Sequence, residues 1–340
     1  MTEEIARISD GPAAGPRELD EPAARYRTEL LAHCYRLLGS AEDAEDAVQE
    51  TLLRAFRFRD RWEGRSSMRT WLYKIATNVS LDARGAAARR PLPSDLSAPV
   101  DTGRLGDEAP GTLWIEPLPG RALDDDRADP ASQAAARSGM RLAFVAALQH
   151  LSAVQRAVLV LRDVLMFPAA DVAGMLDLTV PSVNNHLQRA RRRLSEAAPA
   201  AERIREPEEQ RELERLEAYA RAFVSSDVDG LVSLLHEDVT LEMPPNPSWF
   251  RGRADVGAFL GARIGERRWR AVATAANTQP AVVLYAQGET GEWRPESLHV
   301  LDAAGAALSG IVVFRERRIL AGFDLPDPLP PEPHAQEVAM

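Results

Sequence analysis

The first ninety residues carry apolar positions at helical spacing. From Tyr26 onward Leu30, Leu31, Cys34, Leu37 and Leu38 recur every three or four residues, which predicts a helix with one apolar face. Gly39 stops it and Ser40 is a natural cap for the next helix. In that second helix Ala44, Ala47, Val48, Leu52, Ala55 and Phe56 are expected to turn inward. Its first turn (Glu42, Asp43, Glu45, Asp46) is acidic, which suits the positive end of the helix dipole. A third helix, from Ser67 or Met68 to about Arg84, buries Trp71, Leu72, Ile75 and Leu81, with Tyr73 undecided between core and surface.

From Pro91 to Arg137 the periodicity is lost and prolines stand at 91, 93, 99, 110, 117, 119 and 130. A stretch of this length reads as a linker or strap rather than a domain. Its Leu113-Trp114-Ile115-Glu116-Pro117-Leu118-Pro119 patch is too apolar for a spacer and is expected to dock. Helical spacing returns over 139–197. Leu142, Val145, Ala146, Leu148 and Leu151 form a first face, and Ser152 caps a segment burying Ala157, Val158, Val160 and Leu161. A short helix from Pro168, a turn at Asp177 to Thr179 and a helix with Pro181 in its first turn then follow. Val183, Leu187, Ala190 and Leu194 make its buried stripe. Ser182, Asn185, Arg189 and Arg192 lie opposite, with His186 and Gln188 flanking, the pattern of a helix-turn-helix.

After an Ala/Pro/Glu joint near 198–208 the pattern becomes α+β. Helices are expected at Gln210–Val224, at Val228–Leu235 and after Gly252, and a strand at Val239–Met243. Four β-rich runs follow near 269–276, 281–287, 297–302 and 308–315, with a last strand from Ile319 to Asp324. The reading is multidomain. It comprises a disordered tail (1–22), an all-α domain (23–90), an acidic Pro-rich linker (91–138), an all-α helix-turn-helix domain (139–198), an α+β domain (205–325) and a Pro-rich tail (326–340).

Charge sharpens this picture. The chain carries −10, yet between Arg54 and Arg90 ten Lys/Arg face three acids, a local charge of +7, while the linker is acidic. A basic island with interleaved Trp and Tyr is the footprint of a polyanion with unpaired bases. No apolar run approaches the roughly 18 residues of a membrane span. The acidic start, Met1-Thr2-Glu3-Glu4, argues against a secretory signal, so a cytoplasmic protein without membrane contact is expected. Cys34, the single cysteine, excludes an intramolecular disulfide and a Cys-based zinc site, and reads as core. No metal or cofactor is called for.

Asp43-Ala44-Glu45-Asp46-Ala47-Val48-Gln49-Glu50, Thr70-Trp71-Leu72-Tyr73-Lys74-Ile75-Ala76-Thr77-Asn78 and Gln188-Arg189-Ala190-Arg191-Arg192-Arg193-Leu194 occur in this order with a linker before the third. Together they resemble the extracytoplasmic-function RNA polymerase sigma factors of the sigma-70 family. Residues 205–325 resemble the SnoaL-like domain, a cone-shaped nuclear-transport-factor-2-like fold carried by a subgroup of them. The resemblance implies an alternative sigma factor that binds core RNA polymerase and directs promoter-specific initiation. Asp43, Glu45, Asp46, Gln49, Glu50 and Arg54 would dock on the clamp of the largest subunit, with the flap as the other polymerase contact. Arg61, Trp62, Arg65, Ser66, Ser67, Arg69, Tyr73, Lys74 and Asn78 would melt and read the −10 element. Ser182, Asn185, His186, Gln188, Arg189, Arg191, Arg192 and Arg193 would meet the −35 element. There Asn185 can reach adenine, Arg189 guanine and the Arg191 to Arg193 run phosphates. Many members have Arg where His186 stands, so their −35 sequence is not carried over. The linker would thread toward the polymerase active site, although a plain tether fits most of its length equally.

SnoaL-like relatives include cyclases and isomerases with a carboxylate or His base. Candidates here are His236, Asp238, Glu242, His299 and Asp324, with Trp249, Phe250, Trp269, Tyr285 and Phe314 as pocket walls. No pair stands at diagnostic spacing. The domain is therefore read as regulatory, contacting the sigma core, with a catalytic or ligand-sensing domain as the alternative. Whether an anti-sigma factor exists is not legible. An ordinary helix-turn-helix repressor would leave the 43–90 region without a purpose.

Overall fold

Helix α1 (Arg27–Leu38) is enclosed on every side: all residues from Glu29 to Leu38 are buried. The computed structural model describes residues 25–62, 66–84, 89–100, 105–106, 112–125, 129–197 and 209–330; the expected tail 1–22, the joint and most of the C-terminal tail lie outside them. Helices α2 (Ala41–Arg57) and α3 (Met68–Arg84) pack on the apolar stripe of α1. Gly39, at φ 72°, turns the chain between α1 and α2 in the left-handed region that glycine enters without strain. Ser40 Oγ then accepts the Asp43 N–H at 3.2 Å, capping α2.

The polar side of α1 is covered by segments remote in sequence. Arg36 donates to the carbonyls of Ala135 (2.7 Å), Ala136 (2.9 Å) and Ser138, at the end of α4 (Pro130–Arg137). Burial lowers its pKa to about 10. Arg156 donates to the Leu148 carbonyl at 2.7 Å and to the Leu37 carbonyl of α1. It sits in α6 (Ala153–Leu159), which follows α5 (Leu142–Leu148). A π-turn over Val160–Val164 leads to α7 (Ala169–Leu176) and α8 (Val180–Ala197), the helix-turn-helix pair. Asp177, at φ 53°, closes the turn, and Thr179 Oγ1 accepts the Ser182 N–H at 3.3 Å. Val183, Leu187, Ala190 and Leu194 are buried as expected.

The C-terminal domain has α9 (Glu209–Ser225), α10 (Val228–Ser233) and α11 (Arg253–Glu266) against a six-stranded sheet. Its strands are β1 (Leu235–Glu242), β2 (Trp249–Arg251), β3 (Trp269–Ala276), β4 (Gln279–Gln287), β5 (Trp293–Ala304) and β6 (Ala307–Phe314), in the order β2-β1-β6-β5-β4-β3. Only the β1–β6 pair is parallel. Successive side chains alternate between two faces. The inner face (Leu241, Ile311, Val313, Val282, Leu284) closes a core with the domain's own helices. The outer face (Ala281, Val283, Tyr285, Leu298, Val300, Phe314) belongs to the same core as α1 to α8.

The linker runs through that seam. Ser94 N–H donates to Glu242 Oε2 at 2.9 Å, Trp249 Nε1 to the Ser97 carbonyl at 2.9 Å, and Asp95 meets His150 Nε2 at 2.7 Å. Farther on, Ile115, Leu118 and Leu123 are buried in the shared core. Tyr35 donates to the Glu116 carbonyl at 2.6 Å and accepts from Asn277 Nδ2 at 2.8 Å. Asn277, at the β3–β4 turn, exchanges two 2.8 Å bonds with the Leu118 backbone. The Glu116 carboxylate accepts from Ser40 Oγ (2.8 Å) and meets Arg318 (2.8 Å), on α12 (Arg317–Ala321), and Arg90 (3.5 Å).

Four expectations are corrected. The linker contains α4, started by Asp129, whose carboxylate accepts the Ala131 and Ser132 N–H groups at 3.0 Å. The strand expected from Ile319 is α12 and a turn. Its apolar pair, Ile319 and Leu320, packs into the shared core through one helical turn. Phe56 is not inward but 49% exposed, with Arg59 over its ring. Tyr73 is fully buried while Trp71 is only half-buried, because α3 faces two neighbours, α1 and the helix-turn-helix.

Replacing Arg36 with Ala strips three carbonyls of their buried donor, and urea unfolding of Arg36→Ala should show a loss of about 3 kcal/mol. Burial pushes the Glu242 carboxyl up to about 7, with Asp95 adding in the same direction. A raised acid pKa stabilises the fold below the unfolded value and loses that stability as pH climbs through about 7. Glu242→Gln should therefore melt like the native chain at acid pH and be more stable at pH 8 by on the order of 2 kcal/mol.

Candidate nucleic-acid interface

The acidic face expected on α2 divides in two. Asp43 is held by Arg90 at 2.7 Å, Glu45 by Arg27 at 2.5 Å and Glu50 by Arg54 at 2.6 Å, so these acids and Arg54 are paired within the chain. Asp46 and Gln49 are exposed. They align with Leu53 (52% exposed) and Phe56 (49%) at steps of three and four residues, forming one outward stripe that starts polar and ends apolar. Phe56 was expected inward because it follows Leu52 by four residues, and Leu53 was not singled out although it lies opposite the inward face; their alignment with Asp46 and Gln49 was the available signal.

The −10 set divides too. Ser66 and Ser67 are exposed, and Ser67 Oγ accepts the Thr70 N–H at 3.0 Å, capping α3. Trp62 stacks on Trp71 with ring centres 6.1 Å apart, an aromatic ledge beside that cap. Arg69, Tyr73 and Lys74 face the helix-turn-helix instead. Arg69 bonds Glu29 at 2.9 Å and lies between the Tyr73 and Phe167 rings, 4.9 Å from each centre. Tyr73 donates to the same buried carboxylate at 3.0 Å, and Phe167 packs on its ring at 5.1 Å. Burial raises the Glu29 pKa against the pull of Arg69. Lys74 Nζ donates to the Gly174 carbonyl of α7 at 2.8 Å, with Asp177 at 3.8 Å. Asn78 is half-buried; Arg65 and the Arg61 side chain lie outside the described residues.

The −35 set stays together on α8. Asn185, Gln188, Arg189, Arg192 and Arg193 are exposed, and Arg189, Arg192 and Arg193 line one shallow cleft with Gln155. Asn185 and Arg189 have no hydrogen-bond partner among the described residues. Arg191 is turned to Asp163 at 2.7 Å. Ser182 and His186 are half-buried at the edge of this face. The helix thus presents an amide and guanidinium groups of the kind that read base edges and phosphates.

The candidate bases of the C-terminal domain do not converge. Glu242 pairs in register with Val312 and points to the outer face, whereas His299 pairs with Val313 on the inner face. One substrate cannot meet both. His236 accepts the Asp238 N–H at 3.1 Å, Asp238 lies 3.5 Å from Arg251, and Asp324 bonds Arg121 at 2.6 Å. Of the expected pocket walls, Trp269 lines a cavity and Phe250 stacks on Phe259 in the inner core. Tyr285 and Phe314 serve the outer face, and Trp249 holds the linker. No group of three His, Cys, Asp or Glu among the described residues is placed to hold a metal, and no helix there is long and apolar enough to cross a membrane.

Residues 23–90 match Sigma-70 region 2, residues 141–194 match Sigma-70 region 4, and residues 216–317 match the SnoaL-like domain. Over 309 residues the chain is 43% identical to the ECF RNA polymerase sigma factor SigG of Mycobacterium tuberculosis, spanning 89% of this chain and 83% of that protein. It is 30% identical over 219 residues to SigJ of the same organism, 63% of this chain and 61% of that protein. The crystal structure of SigJ shares the fold, with a TM-score of 0.58 at 21% identity, covering 91% of this chain and all of that one. The chain belongs to the extracytoplasmic-function sigma factors of the sigma-70 family: it is an alternative sigma factor, a transcription initiation factor for core RNA polymerase and promoter DNA, with a SnoaL-like domain after its two sigma regions.

Proposed function

We propose that α2 docks on the clamp of the largest polymerase subunit through the stripe Asp46, Gln49, Leu53 and Phe56. We assign the −10 element to the Trp62–Trp71 ledge with Ser66, Ser67 and the end of α3, and the −35 element to Asn185, Arg189 and Arg192 on α8. The observation that carries this reading is the pair of outward stripes on α2 and α8. Each bears side chains exposed in a chain whose other charged groups are largely paired. An exposed apolar end beside polar residues suits a protein surface, and an exposed Asn/Arg face suits a major groove.

The packed arrangement itself is the resting form in this reading. Elements centred near −10 and −35 lie about 25 base pairs apart, on the order of 85 Å of duplex at 3.4 Å per pair. Helices α3 and α7, joined by the 2.8 Å Lys74–Gly174 bond, cannot span that distance. Engaging both elements requires the two sigma regions to part, which frees Lys74 for DNA and uncovers Arg69 on its Phe167 side. The SnoaL-like domain opposes parting because its outer face and Asn277 hold the linker against α1, so it modulates initiation through this contact.

Run-off transcription with core polymerase on the chain's own upstream DNA should give a defined start. Arg189→Ala should lower its yield about tenfold, with discrimination relaxed at one −35 position. A start unaffected by Arg189→Ala would remove α8 as the −35 reader. Cys34 is buried, with its thiol pushed up to about 12, so dyes can be placed at Asp82→Cys and Glu196→Cys instead. Energy transfer between them should fall when core polymerase is added; unchanged transfer would refute the opening.

A further inference from the structure

Between the inner face of the sheet and helices α9 and α11 lies a cavity of about 80 Å³. Met243, Leu284, Val313 and Trp269 give it apolar walls. One polar cluster interrupts them. Ser297 and His299, two residues apart on β5 and so on one side of the strand, both line the cavity. His299 Nδ1 lies 2.8 Å from the Tyr219 hydroxyl of α9, and Nε2 lies 2.9 Å from Ser297 Oγ. Burial, and then Arg315, pushes the ring down to about 3, so it carries a single N–H at any ordinary pH.

The direction of this chain of bonds follows from satisfaction. Tyr219 is fully buried, and among the described residues His299 is its one hydrogen-bond partner. Were the ring proton on Nδ1, the Tyr219 O–H would be a buried donor without an acceptor. Tyr219 therefore donates to Nδ1, and the Nε2–H donates to Ser297 Oγ. The Ser297 O–H is left over, with no acceptor among the described residues, in a side chain that lines the cavity. At the mouth Arg315 and Arg267 meet Glu296 at 2.6 and 3.6 Å and Arg263 pairs with Glu266 at 3.0 Å, so each guanidinium there already has a carboxylate partner.

We propose that this cavity binds a small uncharged molecule through a carbonyl oxygen that accepts a hydrogen bond from Ser297. An apolar cavity of about 150 Å³ holds benzene. The space here takes the carbonyl and a few carbons, and the remainder of the ligand extends past Trp269 toward the mouth. The site does not depend on the promoter reading, and its test involves no transcription.

The full chain would be titrated calorimetrically with acetophenone and with ethylbenzene, which has a similar shape and no oxygen. Acetophenone should bind more tightly although it is the less hydrophobic of the two. Ser297→Ala should weaken acetophenone about tenfold and leave ethylbenzene unchanged, and Ser297→Thr should stay within about threefold of the native chain. Absence of saturable binding, ethylbenzene binding as tightly as acetophenone, or an unaltered Ser297→Ala would each overturn the proposal. If Ser297→Ala does not fold, the order of the two ligands on the native chain decides it.

Discussion

A helix buried on all sides draws partners for the polar side chains it carries, and α1 sets that demand for the whole protein, although Glu29 Oε1, His33 Nδ1 and Arg36 Nη1 keep no partner among the described residues. Glu29 is met by Arg69 and Tyr73, His33 by Thr77, Tyr35 by the linker and Asn277, and Arg36 by the end of α4. The partners come from the first helical domain, the linker and the C-terminal domain; the helix-turn-helix domain adds Arg156 against Leu37. Each such bond is worth little net in water-exposed form, but leaving a buried donor or acceptor unmet is expensive. The domains thus meet around one helix, and the Arg141 pairs with Glu212 (3.3 Å) and Asp302 (2.9 Å) add a direct link between the helix-turn-helix and C-terminal domains.

That same feature explains what could and could not be read from the residues. The apolar stripes of α1, α3 and α8, the helix-turn-helix and the four β-rich runs follow from periodicity, which depends on which side faces a core. Periodicity cannot tell that a polar side is also covered. Glu29, His33 and Arg36 look like a solvent face until the C-terminal half of the chain is in place. Phe56 shows the converse, an apolar residue at an inward spacing that the fold leaves outside. A signal did exist for the doubly covered sheet. The β4 run Ala281-Val282-Val283-Leu284-Tyr285-Ala286 is apolar on both alternations, the mark of a strand buried on both faces. The exposed amide and guanidinium set was legible where it sits on a free helix face, as on α8. It was less legible on α3, where Arg69, Tyr73 and Lys74 serve the interdomain contact.

The two faces of the sheet also separate two chemistries. Glu242 and His299 share a domain and a sheet, yet strand alternation places the carboxylate among linker residues and the imidazole against the cavity on the inner face. Residue types suggestive of acid–base work are here split between holding the linker and ordering a hydrogen-bond chain. A list of titratable residues reads as a catalytic set only after register is known.

The seam between sigma helices and sheet has a consequence in time as well as in space. The last residue of α8 precedes Asn277 by some eighty positions, and at roughly 5–20 residues per second a ribosome needs on the order of ten seconds to make them. Throughout that interval the sigma helices are complete while Tyr35 lacks the Asn277 amide and the apolar surface that later meets β4 and β5 has no cover. The nascent chain therefore passes through a period in which its initiation regions are joined only to each other. Any factor that binds them before the last domain arrives competes with a contact that does not yet exist.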